Sequence, residues 1–342
     1  MAGAAVAVVV VCHDSAADLA ATLPALTAQL APGDELVHVD NASADGTPAA
    51  ARALAPAATV IETGANLGFA GGCNEGARAS TAPLLLFLNP DAVPAPGCVA
   101  ALRECAARRP AWGAWQALVT MAGGALVNSA GNEVHYLGFG WAGRCGEPVS
   151  ALANEPADVG FASGAALVVR REAWDAAGGF DDRYFMYGED LDLCLRRRLA
   201  GWGIGIEPRA AVEHDYEFAK GAYKWFSLER NRWWTILAAY PARLLALLMP
   251  ALLCFELALL PVAWRGGWLP AKLRAQAAVL RLLPAMLRRR RLVQATRRGP
   301  DAAFAAALTA SLDSPYLAAA ARDPGVRAAQ AAYWRAVRAA LR

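Results

Sequence analysis

The unbroken apolar run over residues 6–11, rich in β-branched valine, sets the first constraint on the fold. A run of this kind fits a strand buried on both faces, the setting of a parallel sheet covered by helices. The segments after it keep to that plan. Leu19, Leu23 and Leu26 form a helical stripe within residues 15–30. Residues 35–39 read as a second strand, and the Asp45-Gly46 turn precedes Thr47-Pro48, a helix start with proline in the first turn. Residues 59–62 and 84–88 supply a third and a fourth strand. Strands alternating with short helices predict βαβ units and a mainly parallel α/β sheet flanked by helices. Ligands of such sheets sit beyond the carboxyl ends of the strands. Two of these strands end in Asp40-Asn41 and Asn89-Pro90-Asp91. Each group taken singly is also ordinary turn chemistry.

Two further segments carry polar chemistry. Residues 66–74 (Asn66-Leu67-Gly68-Phe69-Ala70-Gly71-Gly72-Cys73-Asn74) are glycine-rich, which lets a backbone approach a ligand closely. Their spacing is not G-x-G-x-x-G, and no Walker lysine follows. Residues 181–193 hold five acids among three aromatics. Leu191, Leu195 and Leu199 then recur at helical spacing, so Glu189 and Asp190 fall at a helix N-terminus, where exposed N–H groups favour carboxylates. A capped helix with a solvated acidic turn explains the charges alone. The neighbouring Tyr184, Phe185 and Tyr187 point instead to a walled carboxylate able to act as a base.

Charge and cysteines exclude other classes. The net charge of +3 is too small to imply a nucleic-acid partner, and the seven cysteines form no C-x-x-C pair. That pattern predicts a reducing compartment, with no disulfide framework and no structural zinc. The apolar run at the N-terminus lacks a basic flank, so no signal peptide is expected.

The motifs taken together resemble one family. Residues 39–47 (Val39-Asp40-Asn41-Ala42-Ser43-Ala44-Asp45-Gly46-Thr47) resemble the V-D-N-x-S-x-D-G-T signature of family 2 glycosyltransferases. Residues 66–74 are similar to their N-x-G-F-x-x-x-x-N segment, and Asn89-Pro90-Asp91 to their D-x-D motif in an N-x-D form. Ser163-Gly164-Ala165 and Gly178-Gly179-Phe180-Asp181, followed by Glu189-Asp190, match the acceptor-side half. The resemblance covers about residues 5–240, and its nearest branch is rhamnosyltransferase-like and non-processive. It implies a GT-A fold and an inverting transfer from a nucleotide-diphosphate sugar. It also implies a divalent cation, Mg²⁺ or Mn²⁺, on the diphosphate, since such ions take one or two carboxylates plus phosphate oxygens.

By that resemblance Asp190 is the catalytic base and Glu189 orients the acceptor or supports the helix start. Asp40, Asn41, Asn66, Gly68, Asn74 and Asn89 hold the nucleotide sugar, and Asp91 and His214 the metal. Arg230 and Arg232, with Lys220 and Lys224, supply cations for the diphosphate; a solvated helix face is the plainer reading of that basic segment. Glu229-Arg230-Asn231-Arg232-Trp233 departs from the Q-x-x-R-W motif of processive relatives, so polymerisation is not supported. Two other classes share parts of the pattern. A sugar-phosphate nucleotidyltransferase has a similar sheet but needs no base near residues 189–190. A catalytically inactive, membrane-bound glycan-binding or scaffolding protein would not need the intact acid set.

Composition shifts after Tyr240-Pro241, dividing a catalytic domain at 1–240 from a C-terminal helical region at 241–342. Residues 244–264 are apolar apart from Glu256 and contain Pro250 and Pro261. Their length suffices for one bilayer crossing, but the acid and the prolines favour a helix in the interface or a re-entrant hairpin. No acid occurs from residue 257 to residue 300, whereas Arg288, Arg289, Arg290 and Arg291 are consecutive. A basic segment beside an apolar one predicts attraction to anionic lipid. The expected setting is the cytoplasmic face of an inner membrane, with a lipid-linked or surface-glycan acceptor.

Overall fold

The computed structural model describes residues 3–215, 222–311 and 323–342. The chain forms two compact units, the first of residues 1–132, 142–197 and 202–216, the second of residues 133–141, 198–201 and 217–342. This differs from a boundary at 240, because the helix before Tyr240 belongs with the C-terminal helices.

In chain order the elements begin with β1 (Val6–Cys12), α1 (Ala16–Thr27), β2 (Glu35–Asp40), α2 (Thr47–Leu54), β3 (Thr59–Glu62), α3 (Gly68–Arg78) and β4 (Leu84–Leu88). Next come β5 (Val93–Pro94), α4 (Cys98–Arg108), β6 (Trp112–Met121), β7 (Leu126–Ser129), β8 (Glu133–Val134) and β9 (Gly140–Trp141). They continue with β10 (Ala157–Asp158), β11 (Ala166–Arg170), α5 (Arg171–Ala177), α6 (Glu189–Leu199) and β12 (Gly203–Glu213). Among the described residues five helices follow: α7 (Ala222–Ala239), α8 (Ala242–Arg265), α9 (Leu269–Ala295), α10 (Asp301–Ala305) and α11 (Pro324–Ala340).

The first unit is built on a sheet of order β10-β12-β6-β11-β4-β1-β2-β3, with β5 beside β12 and β7 beside β6. β1 to β4 pair in parallel, as the valine-rich runs predict. The other half is mixed. β11 runs antiparallel to both β4 and β6, while β12 is parallel to β6. β4, β6 and β12 therefore share one direction, and the start of β11 lies at the edge where β2, β4 and β12 end. That edge collects Asp40, Asn89, Asp91, Ala165 and His214, four of them strand-end residues predicted for the site.

α3 lies close against the sheet, and its glycines are the reason. A Cβ at Gly72 would collide with Val11, and one at Gly76 with Val9. Gly72 and Gly76 are one helical turn apart, so a single glycine face seats the helix on β1. Close backbone approach, expected at a ligand, is here an approach of helix to strand.

The second unit pairs β8 with β9 and packs α7 along α9. Residues 242–265 form one continuous helix with Pro250 and Pro261 inside it, in place of a hairpin. Arg290 and Gln294 of α9 donate to carbonyls at the end of α7, Arg290 Nη1 to Leu237 and Tyr240 and Gln294 Nε2 to Ala238. They satisfy carbonyls that a helix end otherwise leaves open. Arg290 is thereby turned inward, and of the four consecutive arginines Arg288 and Arg291 are exposed while Arg289 and Arg290 are half-buried.

Candidate active site

Asp40 closes β2 and is buried, at 2% exposure. Its Oδ2 accepts from Ser43 N at 3.1 Å, and its Oδ1 is buried without a hydrogen-bond partner. The rest of that motif stitches two loops together. Asp14 N donates to Ser43 Oγ at 2.9 Å, and Asp45 Oδ2 accepts from Ala16 N at 2.9 Å. Asn41 Nδ2 donates to Gly68 O at 2.9 Å, tying the end of β2 to the start of α3. Asn66 is exposed, and its Oδ1 accepts from Gly68 N at 2.9 Å.

Asn74 works as a strut. Its Nδ2 donates to Phe180 O at 3.0 Å and its Oδ1 accepts from Phe180 N at 3.0 Å, as a neighbouring strand would. The same Nδ2 reaches Asp182 Oδ1 at 2.5 Å. Residue 74, expected at the nucleotide, thus holds the turn that leads into the acidic segment.

That segment is strained. Phe185 has φ 62° and ψ −64°, and Met186 N donates across it to Tyr184 O at 2.7 Å. This is a γ-turn of the rare hand. Tyr187 and Gly188 follow at φ 70° and φ 89°. Each non-glycine residue in such a region costs on the order of 1–3 kcal/mol, and strain of this kind concentrates at functional sites. α3 holds the turn in place: Ala70 N donates to Phe185 O at 3.2 Å, and a Cβ at Gly68 would collide with Phe185. Only Gly188 hints at this turn in the sequence.

α6 begins at Glu189. Asp190 Oδ2 accepts from Gly164 N at 2.9 Å and its Oδ1 from Leu191 N at 2.7 Å, which fixes the carboxylate plane and leaves a lone pair on each oxygen. Desolvation raises the Asp190 carboxyl above its ordinary range, opposed by the backbone donors. Glu189 is buried with Oε2 unpartnered, and burial, then Asp190 and Asp192, push its carboxyl well above the ordinary value. Asp192 is fully buried and pairs through Oδ2 with Arg196 Nε at 2.8 Å. Arg196 in turn donates to Ala177 O and Gly179 O, both at 2.9 Å. Asp192→Asn is therefore expected to lower stability by about 3 kcal/mol, because it breaks a buried pair and leaves a buried cation. A denaturant midpoint measured beside turnover checks this. An unchanged midpoint with lost turnover would move the chemistry to Asp192.

Three residues join the Asn89-Pro90-Asp91 turn to Asp190. Gly164 N meets Asp190, while the adjacent Ala165 O accepts from Asn89 N at 3.0 Å. Ser163 N is anchored on Gln116 Oε1 at 2.8 Å. Beyond Asn89, Asp91 Oδ1 lies 3.2 Å from His214 Nε2. His214 is held at the end of β12, its N on Thr120 O and its O on Asn128 Nδ2, both at 2.9 Å. The two residues expected to bind metal are thus brought together. Carboxylate and imidazole are both competent ligands for a divalent cation. Among the described residues no group of three or more His, Cys, Asp or Glu could hold a metal ion, so most ligands would have to come from phosphate and water.

Arg230 and Arg232 belong to the second unit. Arg230 Nε donates to Asn231 Oδ1 at 2.9 Å. Arg232 is buried, with Nη1 on Leu137 O at 3.0 Å and Nη2 paired with Glu256, so its guanidinium is committed there. Lys220 lies outside the described residues.

Comparison with known proteins extends this picture. The family model for glycosyl transferase family 2 matches residues 7–122, and that for glycosyl transferase family group 2 matches residues 84–291. The chain is 36% identical over 204 residues to an N-acetylglucosaminyl-diphospho-decaprenol L-rhamnosyltransferase of Mycobacterium tuberculosis (strain ATCC 25618 / H37Rv), a match spanning 53% of this chain and 66% of that protein. It is 36% identical over 72 residues to rhamnosyltransferase WbbL of Escherichia coli (strain K12), 20% of this chain and 27% of that one. Among solved structures it is similar to GalNAc-T7 with UDP, GalNAc and Mn²⁺, at TM-score 0.58 and 14% identity over 70% of this chain and 49% of that chain. It is also similar to S. aureus TarS 1–349 in complex with UDP, at TM-score 0.54 and 15% identity over 98% and 90%. These structural likenesses show the fold, which is GT-A.

Proposed function

The chain belongs to the family 2 glycosyltransferases, and from that premise we propose that it is an inverting enzyme moving a sugar from a nucleotide-diphosphate donor to a hydroxyl of a lipid-linked acceptor. One observation carries the reading: Asp190 and the Asn89-Pro90-Asp91 turn hold opposite ends of the same short bridge, through Gly164 and Ala165. A base for an acceptor hydroxyl and a strand end for a donor diphosphate are thereby joined on one rigid scaffold, as catalysis by positioning requires.

Asp190 takes the hydroxyl proton as the acceptor oxygen bonds to the anomeric carbon. The bond from that carbon to the diphosphate oxygen breaks, and nucleoside diphosphate leaves. The buried Oδ1 of Asp40, lacking a donor from the protein, suits an N–H of the base or a ribose hydroxyl. Glu189, its carboxyl pushed well above the ordinary range by burial, orients the acceptor or the helix start. Asp91 and His214 would hold the divalent cation, which neutralises charge on the leaving diphosphate when bound.

The name of the M. tuberculosis relative favours a polyprenyl-diphosphate-linked sugar as acceptor and a nucleotide-activated rhamnose as the first donor to test. A lipid-linked acceptor sets the reaction at a membrane surface, on the cytoplasmic side where such donors are made. A panel of nucleotide sugars with Mg²⁺ or Mn²⁺ is expected to raise the melting temperature for one donor above the rest. That donor should then yield free nucleoside diphosphate. Release of pyrophosphate would instead identify a nucleotidyltransferase. No stabilisation and no donor turnover would leave a binding protein.

A further inference from the structure

Among the described residues, thirteen large hydrophobic side chains are exposed, and nine of them lie between Leu253 and Leu292, on α8 and α9. They are ordered by helical geometry. On α8, Leu244, Leu248 and Leu252 are buried, and the next position on that face, at the same spacing of four, is Glu256. Leu253, Leu257, Leu260 and Trp264 point the other way, at 55%, 68%, 36% and 70% exposure. On α9, Leu273, Leu280 and Leu287 are exposed at intervals of seven, and Arg274, Arg281 and Arg288 form a parallel exposed row one position on. A row of leucines flanked by a row of arginines is the pattern of a helix lying in a membrane interface.

Glu256 decides how such a surface engages lipid. Taken by length and composition, α8 could cross a bilayer. But Glu256 is paired with Arg232 of α7 and, at 2.7 Å, with Lys272 of α9, and Gln276 Nε2 donates to it at 2.8 Å. Lys272 is fully buried and also pairs with Glu229 at 2.7 Å. Burial alone would raise the Glu256 carboxyl, but Arg232 and Lys272 outweigh it and hold it below the ordinary range. A spanning α8 would have to leave these partners and carry a charge into hydrocarbon. We propose that the outer faces of α8 and α9 form a docking surface that lies on an anionic bilayer without crossing it.

Charge selects the occupant. Residues 257–300 contain no acid, so a second copy would bring arginine against arginine, whereas anionic headgroups complement the row. The inference builds on the lipid-linked acceptor reading, but its test needs neither donor nor acceptor, so either can fail alone.

Full-length protein is mixed with vesicles of phosphatidylcholine, with or without phosphatidylglycerol, and sedimented. Binding to the anionic vesicles at low salt is expected, with partial release at high salt because the leucines still hold. Substituting Leu273, Leu280 and Leu287 together by serine should lower partitioning about 10-fold or more. Substituting Arg274, Arg281 and Arg288 by glutamine should abolish the preference for anionic lipid, at about fivefold per arginine. All six are exposed, and an unchanged melting temperature in each variant verifies the fold. Three results would overturn the proposal: wild-type protein staying in the supernatant, the serine variant binding like wild type, or a lipid-free dimer that the serine variant dissolves.

Discussion

Asp190→Asn is expected to lose at least about 10²-fold in turnover, the usual contribution of a positioned general base, while donor affinity stays near wild type. The backbone N–H groups of Gly164 and Leu191 now take one carboxylate oxygen each, at 2.9 and 2.7 Å, and asparagine keeps an acceptor for one of them. It keeps the shape and removes the basicity and one of these two bonds. The raised Asp190 carboxyl also fixes the sign of a pH effect. A base must be ionised, and desolvation makes this one hold its proton to higher pH than an ordinary aspartate. Activity should fall as pH drops, with the acid limb above the ordinary carboxylate range and absent in Asp190→Asn. Burial disfavours the charged form of Glu189, and the uncharged Glu189→Gln should therefore lose less. Turnover and donor titration on folded variants check this. Near-normal turnover in Asp190→Asn beside a dead Glu189→Gln would reassign the base.

Removing Asp91 or the cation is the second large effect. Asp91→Ala should be nearly inactive, and a chelator should silence the wild type, because a Lewis acid on a diphosphate is worth several kcal/mol, or about 10²-fold or more. His214→Ala should lose less, since it removes one ligand among phosphate and water oxygens. Asp91 retains 43% of its side-chain exposure against 6% for His214, so the aspartate change should leave the fold intact. Donor-induced stabilisation with and without Mn²⁺ separates binding from chemistry. Full activity in chelator would transfer the leaving-group charge to cationic side chains.

Much of this was legible in the sequence. β1 and β4 announce themselves because strands buried on both faces are continuously apolar, and β2 and β3 show through shorter apolar stretches with polar ends. The helix start at Glu189 follows from leucine spacing. β11 carries a short apolar run of its own, but not its place in the sheet. It is inserted antiparallel between β4 and β6, a pairing made by distant residues that local periodicity does not encode. β6 is likewise obscured by the glycine, alanines and buried Gln116 among its bulky residues. The role of Asn74 also depends on a partner far along the chain, Phe180, so residue type alone suggests a ligand where the fold uses a strut. Glu256 reads as a flaw in an apolar helix until Arg232 and Lys272 are seen beside it.

The place of β11 in the sheet also has a consequence for the order of events during synthesis. Chains emerge at about 5–20 residues per second, so β1 to β4 are available well before β11. Until then β4 has β1 on one side and an open edge on the other, with Asn89 and Asp91 at its tip. Open edges of apolar strands recruit other chains. β12 arrives later still, and a nascent chain ending before residue 203 carries Asp40, Asp91 and Asp190 but not the strand that delivers His214. Of the residues expected to meet the donor, Asp40 and Asp91 are thus made first, and the Asp91–His214 pair closes last, after Asp190 is already in place.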